Sequence, residues 1–314
     1  MISRRLLRIK ILQILYARFS SSDVATTKSE KDLEFSIQKA YDLYYYLLLL
    51  LTAIKRYAES RIDLAKNKIR PTHEDLHPNT RFIDNRLIRQ IEDSAAFNAY
   101  LSERKLSWVN HPELIKSLYR KLTAAEYYIA YMDAPVGSYE ADRELLVDFF
   151  SGELEDHELF FQIMEEQSIF WNDDIDLVVS IVVKTIRAMS AEQGIKLLPM
   201  YKSDDDREFA CTLLRASIQN HSEYEKLIDE STDNWDIERI ALTDKLIMHM
   251  AINEFIEFPS IPIKVTFDEY LEVSKYYSTP KSSVFINGLL DKISANLIEA
   301  GKIVKIGRGL ITES

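Results

Sequence analysis

Residues 234–293 read NWDIERIALTDKLIMHMAINEFIEFPSIPIKVTFDEYLEVSKYYSTPKSSVFINGLLDKI. Apolar side chains recur there at helical spacing over 236–256, 266–276 and 282–299. The two prolines of Phe258–Pro262 punctuate the pattern. Asn234 is placed to cap the first of these helices, and Ser282 or Ser283 the last. The same periodicity extends upstream and predicts further helices over 4–19, 30–66, 81–105, 112–132, 140–151, 156–168, 174–190, 204–218 and 222–230. Only 7 glycines and 8 prolines occur in 314 residues, too few for the turns of a β-rich or Gly-looped α/β fold. The expected fold class is all-α.

Composition narrows the setting. An apolar fraction of 46% with 28% charged residues suits a chain that buries a core. A single cysteine, Cys211, excludes a disulfide framework and a Cys-based zinc site, and points to a reducing compartment. The longest apolar run, LYYYLLLLLTAI at 43–54, is closed by Asp42 before it and Lys55 and Arg56 after it. It is too short for a membrane span, which needs roughly 20 residues. The opening MISRRLLRIKILQILYARF starts like a signal peptide, but Lys10, Gln13 and Arg18 interrupt its apolar centre. A cytoplasmic protein is expected.

Charge is unevenly spread. The net charge is −11, yet residues 1–20 carry +5 through Arg4, Arg5, Arg8, Lys10 and Arg18, with no acid. Between Ser203 and Asp244, twelve acids face four bases. A basic arm on an acidic body suggests two partners of opposite sign.

Trp108, Trp171 and Trp235 lie 63 and 64 residues apart, and Phe97, Phe160 and Tyr224 keep that spacing. Leu118, Val182 and Leu246 are 64 apart. This suggests a degenerate helical repeat of about 64 residues.

Signals for chemistry are few. His73-Glu74-Asp75-Leu76-His77 matches the zincin pattern, but Pro71 and Pro78 bracket it within a polar linker and no third ligand follows. A surface loop without metal is expected. The remaining histidines are isolated, and neither a Gly-rich phosphate loop nor a G-x-S-x-G elbow occurs. No catalytic residue and no cofactor is expected.

The first helix is more informative. Arg4, Arg5 and Arg8 sit in its opening turns, where positive charge opposes the helix dipole by about 0.3–1 kcal/mol each. The stripe carrying Arg4 and Arg8 turns apolar at Leu15 and Phe19. The simplest geometry docks the later turns in a core and projects the earlier ones as a basic finger. Phosphate binding or plain solvation would each account for it.

The C-terminal third resembles the NusB family of transcription antitermination and rRNA-processing factors. The matching residues are Arg239-Ile240, Asp244, Ala251 with Glu254, Ile261-Pro262, Val265, Glu269, Ser274-Lys275-Tyr276 and Phe285-Ile286-Asn287-Gly288-Leu289-Leu290-Asp291. At the other end, Arg4-Arg5, Arg8 and Gln13-Ile14-Leu15-Tyr16 resemble the family's opening R-R-x-x-R-x-x-x-x-Q-x-L-Y helix. Asp268 stands where the family has Asn, and Ser278-Thr279-Pro280-Lys281 replaces a loop that is often acidic. NusB proteins are about half this length, so the resemblance covers roughly 4–19 and 204–295.

It implies a NusB-like helical bundle: a basic helix at 1–20 that belongs to the NusB-like core, a helical insertion at 21–203 with candidate repeat units near 81–140 and 141–203, the C-terminal part of the core at 204–300 and a tail at 301–314. It further implies binding of single-stranded boxA-type RNA together with NusE, a basic ribosomal protein, in the transcription elongation complex. Arg4, Arg5, Arg8 and Lys10 would face RNA, with Lys281, Phe285 and Asn287 bordering it, and Tyr16 and Asp244 would face the protein partner. Gly288 is expected to permit close helix packing. A protein adaptor without RNA binding, or an accessory subunit of rRNA modification, is the alternative. The chain shows no methyl-donor domain.

Overall fold

The structure is a computed structural model that describes residues 2–21, 25–232 and 240–310. Its helices run in chain order as α1 (Arg4–Phe19), α2 (Thr26–Lys66), α3 (His73–Leu76), α4 (Arg86–Glu92), α5 (Ala95–Arg104), α6 (Pro112–Ala124), α7 (Glu126–Asp133), α8 (Tyr139–Asp148), α9 (Glu158–Gln167), α10 (Ile175–Ala188), α11 (Asp204–Gln219), α12 (His221–Ser231), α13 (Leu242–Glu257), α14 (Ile263–Tyr277) and α15 (Pro280–Glu299). Among the described residues, β-pairing is limited to the isolated bridges Ile2–Tyr201 and Ser190–Gly194. The fold is all-α.

Two expected helices are each divided in the structure. The run 81–105 holds α4 and α5, because the Asn85 side chain accepts from the Leu87 and Ile88 N–H groups and the Ser94 hydroxyl from that of Phe97. The run 112–132 breaks at Ala125, which is extended (ψ 138°). The cap of α15 is Thr279 rather than Ser282 or Ser283. Its hydroxyl accepts from the Ser282 N–H, and Pro280, which has no N–H to satisfy, takes the first helical position. Asn234 lies outside the described residues.

The described chain divides into two compact units, Gln38–Met200 and Ile2–Ile37 with Tyr201–Ser314. In the first, the apolar run 43–54 is the buried middle of α2, and a helix apolar on all sides belongs inside a core. Tyr45 stacks on Tyr100 with ring centroids 3.8 Å apart, and Tyr46 on Trp108 at 3.9 Å. The indole N–H of Trp108 donates to the Tyr46 carbonyl (3.0 Å) and that of Trp171 to the Lys39 carbonyl (2.8 Å). Both therefore anchor to the same face of α2, two turns apart. Trp235, the third member of that spacing, lies outside the described residues.

In the second unit α1 packs against α11, α13 and α14. The opening turns of α2 pair with α11 through Glu34–Arg207 (2.9 Å) and Glu30–Arg215. A short turn joins α14 to α15, and the two helices pack on α13.

Candidate nucleic-acid interface

The projecting basic finger is corrected by the burial of α1. Ser3 caps the helix, its hydroxyl accepting from the Leu6 N–H, and Leu6, Leu7, Arg8, Lys10, Ile11, Leu12, Ile14 and Leu15 are buried. An arginine flanked by so many core positions must find its partner inside. The Arg8 side chain is 3% exposed and grips Glu254 of α13 with two hydrogen bonds, Nε to Oε2 at 2.8 Å and Nη2 to Oε1 at 2.6 Å. Glu254 also accepts from the Thr266 hydroxyl (3.0 Å) and the Tyr270 hydroxyl (3.1 Å) of α14. Both carboxylate oxygens are thus doubly bonded, which is the condition for a buried ion pair to be tolerated. Burial alone would lower the Arg8 pKa, but the Glu254 carboxylate outweighs it and holds the guanidinium above its ordinary value. Glu254 entered the sequence reading only as a residue of the family pattern, and Thr266 and Tyr270 did not enter it.

Arg4 and Arg5 are paired nearer the surface. Arg4 Nε donates to Asp206 at 2.8 Å and its guanidinium lies over the Phe209 ring (5.0 Å). Arg5 makes a bidentate pair with Glu269 (3.0 and 2.9 Å), and that carboxylate holds the Arg5 pKa up. Gln13 donates to the Tyr277 hydroxyl at 3.2 Å. The sequence offset from Arg5 to Glu269 equals that from Gln13 to Tyr277, so α1 and α14 run side by side in the same direction. Lys10 is fully buried. Of the four bases expected to face RNA, only Arg4 and Arg5 reach the surface.

The residues named on the C-terminal side separate similarly. Tyr16 is 48% exposed, whereas Asp244 is 5% exposed and accepts a hydrogen bond from the Ser278 hydroxyl. Asp244 therefore fastens the start of α13 to the end of α14. On α15, Lys281, Asn287 and Gly288 are exposed and Phe285 is half-buried. The expected close packing at Gly288 is corrected too, since a Cβ built there meets nothing within 4 Å.

The end of α1 carries a pair that the sequence did not signal. Phe19 stacks on His221 (3.9 Å), whose Nδ1 lies 2.9 Å from Nδ1 of His249. Burial pushes the His249 pKa down to about 3, so the ring is neutral. The HEDLH segment, expected as a loop, contains the single turn α3, closed by a Thr72–Asp75 capping box. His73 and His77 rings lie 4.6 Å apart, and no group of three potential ligands forms among the described residues. No helix among the described residues is long and apolar enough to cross a membrane.

The sequence model of the NusB family matches residues 156–295. That range takes in α9 to α14 and most of α15, and leaves α1 outside. Transcription antitermination protein NusB of Salinibacter ruber is 39% identical over 138 residues, which cover 41% of this chain and 86% of that protein. The protein of the same name from Chloroherpeton thalassium is 37% identical over 105 residues, 33% of this chain and 50% of that one. Its namesake from Thermodesulfovibrio yellowstonii is 38% identical over 93 residues, 30% of this chain and 62% of that one. No solved structure matches.

Proposed function

The chain belongs to the NusB family, and from that premise we propose that it acts in transcription antitermination, binding single-stranded boxA-type RNA together with NusE. The observation that supports this reading most is the Arg8–Glu254–Tyr270 lock. It joins the R-R-x-x-R helix at one end of the sequence to the family-like helices at the other. Two separated resemblances therefore share one core.

In this reading Arg8 and Lys10 hold α1 in place, and the exposed parts of Arg4 and Arg5 act with Lys281, Phe285 and Asn287 of α15 on RNA. Tyr16 serves the protein partner, while Asp244 shapes that surface from inside. No catalytic group, metal or cofactor takes part. Replacing Lys281 and Asn287 by Ala should weaken boxA RNA binding by the protein mixed with NusE and leave helix content unchanged. Unaltered binding in a titration would remove α15 from the RNA surface.

One observation favours a protein adaptor as the second reading: each of Arg4, Arg5 and Arg8 already faces an acid. Under it NusE would still bind, and boxA RNA would not add to the complex.

A further inference from the structure

Because Arg4, Arg5 and Arg8 are each paired with an acid, surplus positive charge at that corner must come from elsewhere. The segment 301–310, GKIVKIGRGL, is acid-free and carries Lys302, Lys305 and Arg308. It is fastened to the corner between α13 and α14. Ile303 is buried, the Ile306 N–H donates to the Pro259 carbonyl (3.0 Å) and Lys305 Nζ to the Phe258 carbonyl (3.0 Å). Gly309 is buried so closely against the same turn that a Cβ there would stand 1.9 Å from the Pro259 oxygen. No side chain fits at that position without displacing the segment.

The Phe258 ring packs against Phe209 at 4.8 Å, and Phe209 is the ring beneath the Arg4 guanidinium. The segment is thus linked through Phe258 and Phe209 to the N-terminal turn of α1. Lys264, exposed in the first turn of α14, follows shortly after Pro259. Neither Lys264, Lys305 nor Arg308 is ion-paired among the described residues, whereas Lys302 lies 3.5 Å from Glu223. Burial pushes the Lys305 pKa down to about 8, which leaves it cationic at neutral pH. Val304, Ile306 and Leu310 are 61%, 56% and 66% exposed between these cations.

We infer that the segment 301–310, with Lys264, is a phosphate-binding strip for single-stranded RNA that continues past the N-terminus of α1, its exposed aliphatic side chains packing against bases. The inference rests on the RNA-binding reading above. On a chain of net charge −11, an unpaired basic strip with apolar side chains between its charges complements a nucleic-acid single strand. An acidic protein segment is the competing occupant.

The test titrates a single-stranded boxA oligoribonucleotide into the full chain with NusE at several salt concentrations. Three neutralised phosphates contribute about −2 to the slope of log K against log salt, at about −0.7 each. The variant K264Q/K305Q/R308Q should bind more weakly, with a slope shallower by about 2. The exposed pair K264Q/R308Q alone should lose about 1.4 and retain full helicity. The charge-matched control K116Q/K184Q/K226Q should keep the wild-type slope. RNA binding by the wild type with an unchanged slope in the variants overturns the inference and leaves the RNA reading standing. So does an equal loss in the control, or capture of poly-glutamate by the strip without RNA. Absence of RNA binding by the wild type overturns both.

Discussion

Arg8 loses its hydration on folding and replaces it with Glu254, Glu269 and the faces of Phe209 and Tyr270. Removing one member of such a pair strands the other in the core, at about 3–5 kcal/mol. Arg8→Ala should therefore lower stability by that amount in urea unfolding, and Glu254→Ala similarly. Arg5→Ala, at an exposed pair, should cost less than about 1 kcal/mol. The double replacement Arg8→Met with Glu254→Leu should recover part of the loss, because neither charge is then left alone, while the buried Thr266 and Tyr270 hydroxyls still lose their acceptor.

His249 gives a pH signature of its own. Its pKa is depressed from 6.5 to about 3, so between those values the unfolded chain binds a proton that the folded one refuses. Stability should fall as pH drops through that window, by about 1.4 kcal/mol per pH unit for this residue. A His249→Gln variant should show a correspondingly flatter pH dependence of unfolding between pH 6 and 4, roughly by that slope. Equal slopes would mean that the ring is protonated in the fold.

These residue-level features were half legible. An arginine among Leu6, Leu7, Ile11 and Leu12, or a glutamate among Ala251, Ile252 and Phe255, signals a buried partner. Periodicity cannot name that partner across 246 residues of chain. Charge counting alone assigned the arginines to solvent, because it does not register what lies opposite.

At the scale of elements, the long helices were readable because their apolar pattern persists over several turns. Their ends were not. A single hydroxyl such as Ser94 divides a run that periodicity joins, and Thr279 wins the cap of α15 over two serines because Pro280 fixes the first turn. The Leu43–Ile54 run was recognisable as the apolar part of a long helix, while the anchoring of Trp108 and Trp171 on carbonyls of that helix, Tyr46 and Lys39, required the fold. Gly288 shows the limit of reasoning from residue type. Close packing was the natural expectation for a helical glycine, yet the position faces open space. Gly288→Ala should raise stability by about 1 kcal/mol through backbone entropy, measurable as a higher thermal midpoint. A loss of stability would show that the bare backbone is needed for packing after all.

For the whole molecule, charge sets the behaviour. The chain carries −11, and of the +5 in residues 1–20 three arginines are already balanced by Asp206, Glu254 and Glu269. The body therefore repels phosphate, and under the proposed function a basic partner would offset that repulsion and add contacts of its own. The sequence carried the NusB resemblance at both ends. The structure places Ile2–Ile37 and Tyr201–Ser314 in one compact unit, with Gln38–Met200 as another. That the distant ends share a core could not be read from spacing alone.

The most direct measurement is the affinity for a single-stranded boxA oligoribonucleotide, titrated into the protein alone and with NusE at near-physiological salt. The account predicts weak binding alone and markedly tighter binding with NusE, beyond what NusE shows by itself. Affinity no greater than that of NusE alone would contradict it and leave a protein adaptor in its place.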